Sequence, residues 1–146
     1  RDVERSRGLG DVYKRQSFYI KSEVRKMIKH IKRGDIFLVN LEPVIGSEQR
    51  NIRPALIIQN DVGNIYSPTT IIASMTSHIH AKTKLPTHVM IHKRGRLRQD
   101  SIILLEQIRT IDKVRLIEYV GTLSILEMEM VDMGLNISIA LNKLYR

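Results

Sequence analysis

From residue 33 onward the chain alternates between short apolar runs and polar punctuation, and the runs read as strands. DIFLVNL (35–41) is a brief apolar, β-branched and aromatic stretch that follows Gly34 and stops at Glu42-Pro43. RPALIIQN (53–60) is too continuously apolar for an edge strand with one wet face. TTIIASMT (69–76) follows the turn residues Asn64 to Pro68, and THVMIH (87–92) alternates after Pro86, with Val89 and Ile91 sharing a face. DSIILLEQIRTI (100–111) is the longest run. Strands at such short spacing predict a strongly bent sheet or small barrel.

Toward the C-terminus the period changes. Asp112 is placed to cap a short helix over KVRLIEY, and Ser124 opens a longer one over ILEMEMVDMGLNISIALNKL. Leu126, Met130, Met133, Ile137 and Leu141 recur there at helical spacing, a stripe suited to core or dimer packing rather than to a cofactor. The chain has no internal repeat and no low-complexity tract.

With 146 residues, 42% hydrophobic and 27% charged, the composition is that of one globular domain. Cysteine is absent, which excludes disulfides and thiolate metal sites and fits a reducing compartment. No apolar run approaches the roughly 18 residues of a membrane helix, and no secretory core is visible, so a cytoplasmic protein with no membrane contact is expected. The formal charge of +9 invites a nucleic-acid reading, but residues 1–33 hold 11 Lys/Arg against 4 Asp/Glu. Most of the basicity therefore belongs to the leader. That leader lacks periodicity, its first Met is Met27, and GLGDVYKRQ resembles translated adaptor sequence. Residues 1–26 are accordingly expected to be a non-native or disordered leader, and 27–146 a single domain.

Candidate chemistry starts with His78, His80, His88 and His92. The nearest carboxylates, Glu48, Asp61 and Asp100, show no metal-ligand spacing, so no metal is expected. Nucleophile elbows, phosphate-cradling glycine loops and paired catalytic carboxylates are also missing, and no cofactor is expected. What stands out is the polar loop GSEQRNIR, which runs directly into an apolar strand.

The segment KRGDIFLVNLEPVIGSEQRNIRPALIIQND resembles the opening of the MazF/PemK toxin family, including its Gly-Ser-Glu-Gln loop and the Arg-Pro that begins the next strand. SPTTIIASMT, KLPTHV and DSIILLEQIRTIDKVRL are similar to later segments of that family in the same order, so the resemblance spans roughly residues 31–141. It implies a mostly β, SH3-like barrel of the MazF/CcdB type with a C-terminal helix, working as a homodimer. It also implies sequence-specific, metal-independent cleavage of single-stranded RNA, mRNA included, blocked by a cognate MazE/PemI-like antitoxin. The positions that match the family's catalytic Arg and Thr are Arg53 and Thr76.

The residues suit that chemistry. Metal-free RNA cleavage turns the neighbouring 2′-hydroxyl into the nucleophile and leaves a 2′,3′-cyclic phosphate and a 5′-hydroxyl. It needs a proton acceptor, a proton donor at the leaving oxygen, and positive charge on the phosphorane. Arg53, at the head of a strand, offers that charge as a planar fork. Thr76 offers a hydroxyl to a phosphate oxygen or to the nucleophile. A guanidinium keeps its proton, which favours charge stabilisation over proton transfer for Arg53. Taken singly, the two are an ordinary surface charge and an ordinary β-branched strand residue.

Ser47, Glu48, Gln49 and Arg50 then form a loop over the scissile phosphate that touches bases. TSHIHAKTKLP (76–86) is a second substrate loop, with His78 for bases and Lys82 and Lys84 for phosphates. Two departures from the family fall in loops able to choose the RNA word. SHIHAKTK is one residue longer and carries histidines where Gln is common, and IHKRGRLRQDS is one shorter and adds Arg94, Arg96 and Arg98. Two other readings compete. A CcdB-like gyrase poison leans on a C-terminal tryptophan, and this chain has no Trp. A non-catalytic nucleic-acid-binding SH3-like module leaves the pairing of Arg53 with Thr76 without a purpose.

Overall fold

The apolar residues of 35–40 and 52–57 point to both faces, so the sheet they build is buried on two sides. This computed structural model describes residues 31–41, 51–80 and 84–145. The expected leader 1–26, the Gly-Ser-Glu-Gln loop and Lys82 lie outside the described residues. The strands are β1 (Asp35–Asn40), β2 (Ile52–Ile57), β3 (Thr69–Thr76), β4 (His88–Ile91), β5 (Ser101–Asp112) and β6 (Leu116–Thr122). They form one antiparallel sheet in the order β4-β5-β3-β2-β1-β6. Helix α1 (Asp61–Tyr66) joins β2 to β3, and α2 (Ile125–Ser138) follows β6.

Along β1 to β3 neighbouring residues belong to opposite cores. Ile36, Leu56 and Ala73 enter one cluster with Val89, Ile103 and Leu105, while Phe37, Ile57 and Ile72 enter another with Ile111 and Leu116. This two-sided burial explains the near-continuous apolar reading of 53–60, because β2 lies inside the sheet, between β1 and β3. Each fully buried Ile or Leu is worth about 1.5–3 kcal/mol.

The bend comes from β5. Its ladder with β3 runs from Thr76↔Ile102 to Ser74↔Leu104 and then jumps to Ala73↔Ile108, leaving Leu105, Glu106 and Gln107 without partners on β3. Leu105 is fully buried beneath α2, where Gly134 makes room: a Cβ there would lie 2.3 Å from Leu105 Cδ1. The sheet rolls until β4 approaches β6, but no ladder joins those edges among the described residues. A tight turn bridges the gap instead. Arg94 pairs with Leu97, the Arg96 N–H donates to Val120 O at 2.8 Å, and Gly95 adopts φ +51°. A Cβ on Gly95 would meet Val120 O at 2.5 Å, so the close approach as well as the turn requires glycine. The outcome is a half-open, SH3-like roll backed by one long helix.

Four expectations need correction. KVRLIEY is not a helix. Asp112 does cap, accepting the Val114 N–H at 3.1 Å, but the turn it starts covers only Lys113–Arg115. The rest becomes β6, whose pairing with β1 buries Leu116 and Val120, and this burial outweighs a short helix. Within the expected turn near Asn64 lies α1, capped by Asn60, whose side chain accepts the Gly63 N–H at 2.8 Å. Buried Asn64 holds that turn by accepting from Thr70 Oγ1 at 2.9 Å and donating to Gln59 O at 3.0 Å. Helix α2 ends at Ser138 rather than continuing through Leu144. The expected stripe is not core: Leu126, Met130, Met133 and Leu141 are exposed and Ile137 is half-buried, while Val131 and Gly134, outside the stripe, are the buried residues of α2.

Candidate active site

The register of β2 on β3 decides where the two expected catalytic residues fall. Ala55↔Ser74 is the last pair of the β2–β3 ladder, and its register carried two residues further outward sets Arg53 opposite Thr76. Residues level across antiparallel strands share a face, with Cβ atoms about 4.5–5.5 Å apart. Outer neighbours hold both backbones, Val39 beside Arg53 and Ile102 beside Thr76. Neither strand can slip without turning these side chains to the other face.

Thr76 is buried, and its Oγ1 accepts the His78 N–H at 3.2 Å, which folds the chain back at the end of β3. Arg53 is exposed, and among the described residues its guanidinium has no hydrogen-bond or ion-pair partner. Several other arginines are committed. Arg94 forks onto the Glu127 carboxylate, Arg33 reaches Asp132 at 2.6 Å, and Arg96 reaches Glu118 at 3.3 Å.

Two hollows meet at this wall and share Arg53, Met75, Thr76 and His78. The smaller, about 500 Å³, adds the polar groups of Asn51, Ser74 and Gln107. The larger, about 880 Å³, extends to Arg96, Arg98 and Gln99 on the β4–β5 turn and to Glu118 on β6. Three arginines against one carboxylate give a basic cleft of a size and polarity suited to a nucleic-acid backbone with unstacked bases.

Of the expected site residues, Arg53, Thr76 and His78 are brought together. Lys84 is exposed and lines neither hollow. Ser47, Glu48, Gln49, Arg50 and Lys82 lie outside the described residues. Sequence reasoning missed Gln107, which the three-residue bulge in β5 delivers to the cleft. Its signal was the Glu106-Gln107 pair interrupting an apolar run. Arg96 and Arg98 were visible only as extra loop charges.

The other described histidines are elsewhere. His88 Nε2 donates to Glu106 at 2.9 Å while its Nδ1 accepts the Leu85 N–H at 3.3 Å, a clamp at the start of β4. His80 is exposed, and His92 Nδ1 lies 3.5 Å from Asp100. Among the described residues no three His, Asp or Glu side chains are grouped to hold a metal ion.

A half-open antiparallel roll with one C-terminal helix is the SH3-like architecture of MazF- and CcdB-type toxins. Residues 32–139 match the model of a family described as PemK-like, MazF-like toxin of type II toxin-antitoxin system. Endoribonuclease EndoA of Bacillus subtilis (strain 168) is 54% identical over 112 residues, covering 76% of this chain and 96% of that protein. The chain belongs to the PemK/MazF toxin family. Solved structures share its fold at lower identity. An endoribonuclease in complex with its cognate antitoxin from Mycobacterial species aligns with a TM-score of 0.64 at 19% identity, over 77% of this chain and 98% of that one. MazF (Form-I) from Deinococcus radiodurans gives 0.60 at 20% identity, over 76% and 97%.

Proposed function

We propose that this protein is a metal-independent endoribonuclease toxin that cuts single-stranded RNA, mRNA included, at a sequence chosen by its loops. The observation that carries this reading is Arg53 and Thr76 together on the wall common to two hollows. The 2′-hydroxyl attacks the adjacent phosphorus, so the nucleophile comes from the substrate. Arg53 neutralises the charge that builds on the phosphorane, and Thr76 holds an oxygen of the same phosphate. Arg96 and Arg98 favour the backbone electrostatically, while His78, Gln107 and the loop 47–50 meet the bases, with Lys82 and Lys84 near phosphates.

The protein works as a homodimer in the cytoplasm, where its substrate is. An acidic antitoxin tail lying across the basic cleft excludes RNA from it. Support for the partner comes from structures of the same fold, an endoribonuclease in complex with its cognate antitoxin from Mycobacterial species and MazE-MazF (Form-II) from Deinococcus radiodurans. Among the described residues no helix is long and apolar enough to cross a membrane.

Incubation with a heteropolymeric transcript in EDTA, followed by mapping of the ends, tests the reading. Cleavage should persist and yield 2′,3′-cyclic phosphate and 5′-hydroxyl ends, and a 2′-deoxy residue at the cut should block it. Absence of cleavage, or 5′-phosphate products, would refute the proposal.

A further inference from the structure

The bulge that sets Gln107 in the cleft takes no support from β3, where Leu105, Glu106 and Gln107 lack partners. A stretch left out of its ladder is free to shift unless something else holds it. Here the hold comes from β4 and the residue before it. The Leu105 N–H donates to Thr87 O at 3.0 Å, and both oxygens of the Glu106 carboxylate are taken. Thr87 Oγ1 donates to one at 3.1 Å, and His88 Nε2 to the other at 2.9 Å.

His88 has each ring nitrogen committed. Its Nδ1 accepts the Leu85 N–H at 3.3 Å, which leaves the ring proton on Nε2, facing Glu106. The His88 side chain is 6% exposed, so water competes little for these bonds. Leu85 belongs to the substrate loop 76–86, and one carboxylate thus ties the end of that loop to the bulge. The ladder of β4 on β5 runs only from Ile91↔Ser101 to His88↔Leu104, so Glu106 lies beyond the last pair. Glu106 itself lines neither hollow.

We propose that Glu106 is a positioning residue for RNA recognition, holding Gln107 beside Arg53 and Thr76 and so setting which base is accepted at the cut. The inference rests on the endoribonuclease reading of the same cleft. Gln107 brings one carbonyl and one amide nitrogen, and a base edge matches them only where the backbone holds both in place. Discrimination by hydrogen bonds is steep, and a misplacement of about 1 Å is enough to forfeit much of it.

The test uses an RNA oligonucleotide carrying one cut site mapped from the heteropolymeric transcript, and a set in which each base around the cut is replaced in turn. kcat and KM are measured for the wild type, Glu106→Gln, Glu106→Ala, Gln107→Ala and the Glu106→Ala/Gln107→Ala double variant, at matched folded fraction. Gln107→Ala should lose discrimination on the order of ten-fold or more at one base position. Glu106→Ala should lose it at that same position, with little change elsewhere, and add less than about two-fold to the loss in Gln107→Ala. Glu106→Gln keeps one acceptor oxygen and should show a smaller loss at the same position; it carries the test if Glu106→Ala does not fold. Wild-type discrimination in either the Glu106 or the Gln107 variants, a loss spread over all positions, or a loss additive with Gln107→Ala would overturn the proposal. Each of these would leave the endoribonuclease reading intact. A wild-type protein that cuts no RNA would overturn both.

Discussion

Arg53 and Thr76 are matched by register rather than by neighbourhood in the chain, so their effects on rate should exceed their effects on stability. Arg53→Ala should slow cleavage on the order of a hundred-fold, the scale of losing one transition-state donor. Arg53→Lys should recover little, because an ammonium cannot reproduce the planar fork. Thr76→Ser should keep much of the rate and Thr76→Ala little, as single-turnover kinetics at matched folded fraction would reveal. A second residue-scale test lies in Ala140, which terminates α2 at φ +53° while the Leu141 N–H donates back to Asn136 O at 3.1 Å. A Cβ in that region costs about 1–2 kcal/mol, which glycine avoids. Ala140→Gly should therefore raise the urea midpoint by about 1 kcal/mol equivalent with the slope unchanged. Both catalytic candidates were legible in the sequence through family resemblance. Gln107 was not, because its place in the cleft follows from a register jump that no local pattern encodes.

At the scale of elements, the junction between the β4–β5 turn and α2 carries a pH signature. Ser124 and Glu127 form a reciprocal cap at the helix start, and Arg94 forks onto the same carboxylate. The Arg94 hydrogen bonds, opposed by burial and aided by Ser124, hold the Glu127 carboxyl down at about 2, against an ordinary 4.5. A carboxylate depressed by folding stabilises the native state above its unfolded pKa, and that contribution is lost as pH falls from about 4.5 to about 2. Glu127→Gln should lower Tm near neutrality and flatten its decline through that acid window, as thermal melts at several pH values would show. The cap was legible, since Ser124 stands three residues before Glu127. The strand β6 was not. Its residues carry a usable helical reading, and only the unpaired side of β1 makes them a strand.

For the whole molecule, the outward face of α2 is the feature a single copy leaves unexplained. Leu126 and Met133 are 72% and 66% exposed, with Met130 and Leu141 beside them, a contiguous apolar surface of the kind that marks an interface. Light scattering at micromolar concentration should give a dimer, and Met133→Glu should shift it toward monomer. A chain starting at Met27 should melt and cleave like the full-length protein, because residues 1–26 lack any pattern able to bury a core. Destabilisation of that shorter chain would refute the division at Met27. The half-open roll was legible as a bent sheet of short strands. How it closes was not, since closure passes through backbone atoms of Arg96 and Val120.

That closure has a consequence for how such a protein can change over generations. Because the seam is fastened by a main-chain bond and by the bare backbone of Gly95, the side chains at 96 and 98 add to it only one exposed ion pair, from Arg96 to Glu118. They are nevertheless among the groups the cleft presents to its ligand. A lineage can therefore exchange these residues at little cost, drifting from one target to another, while the scaffold is inherited unaltered and the glycine stays locked in place.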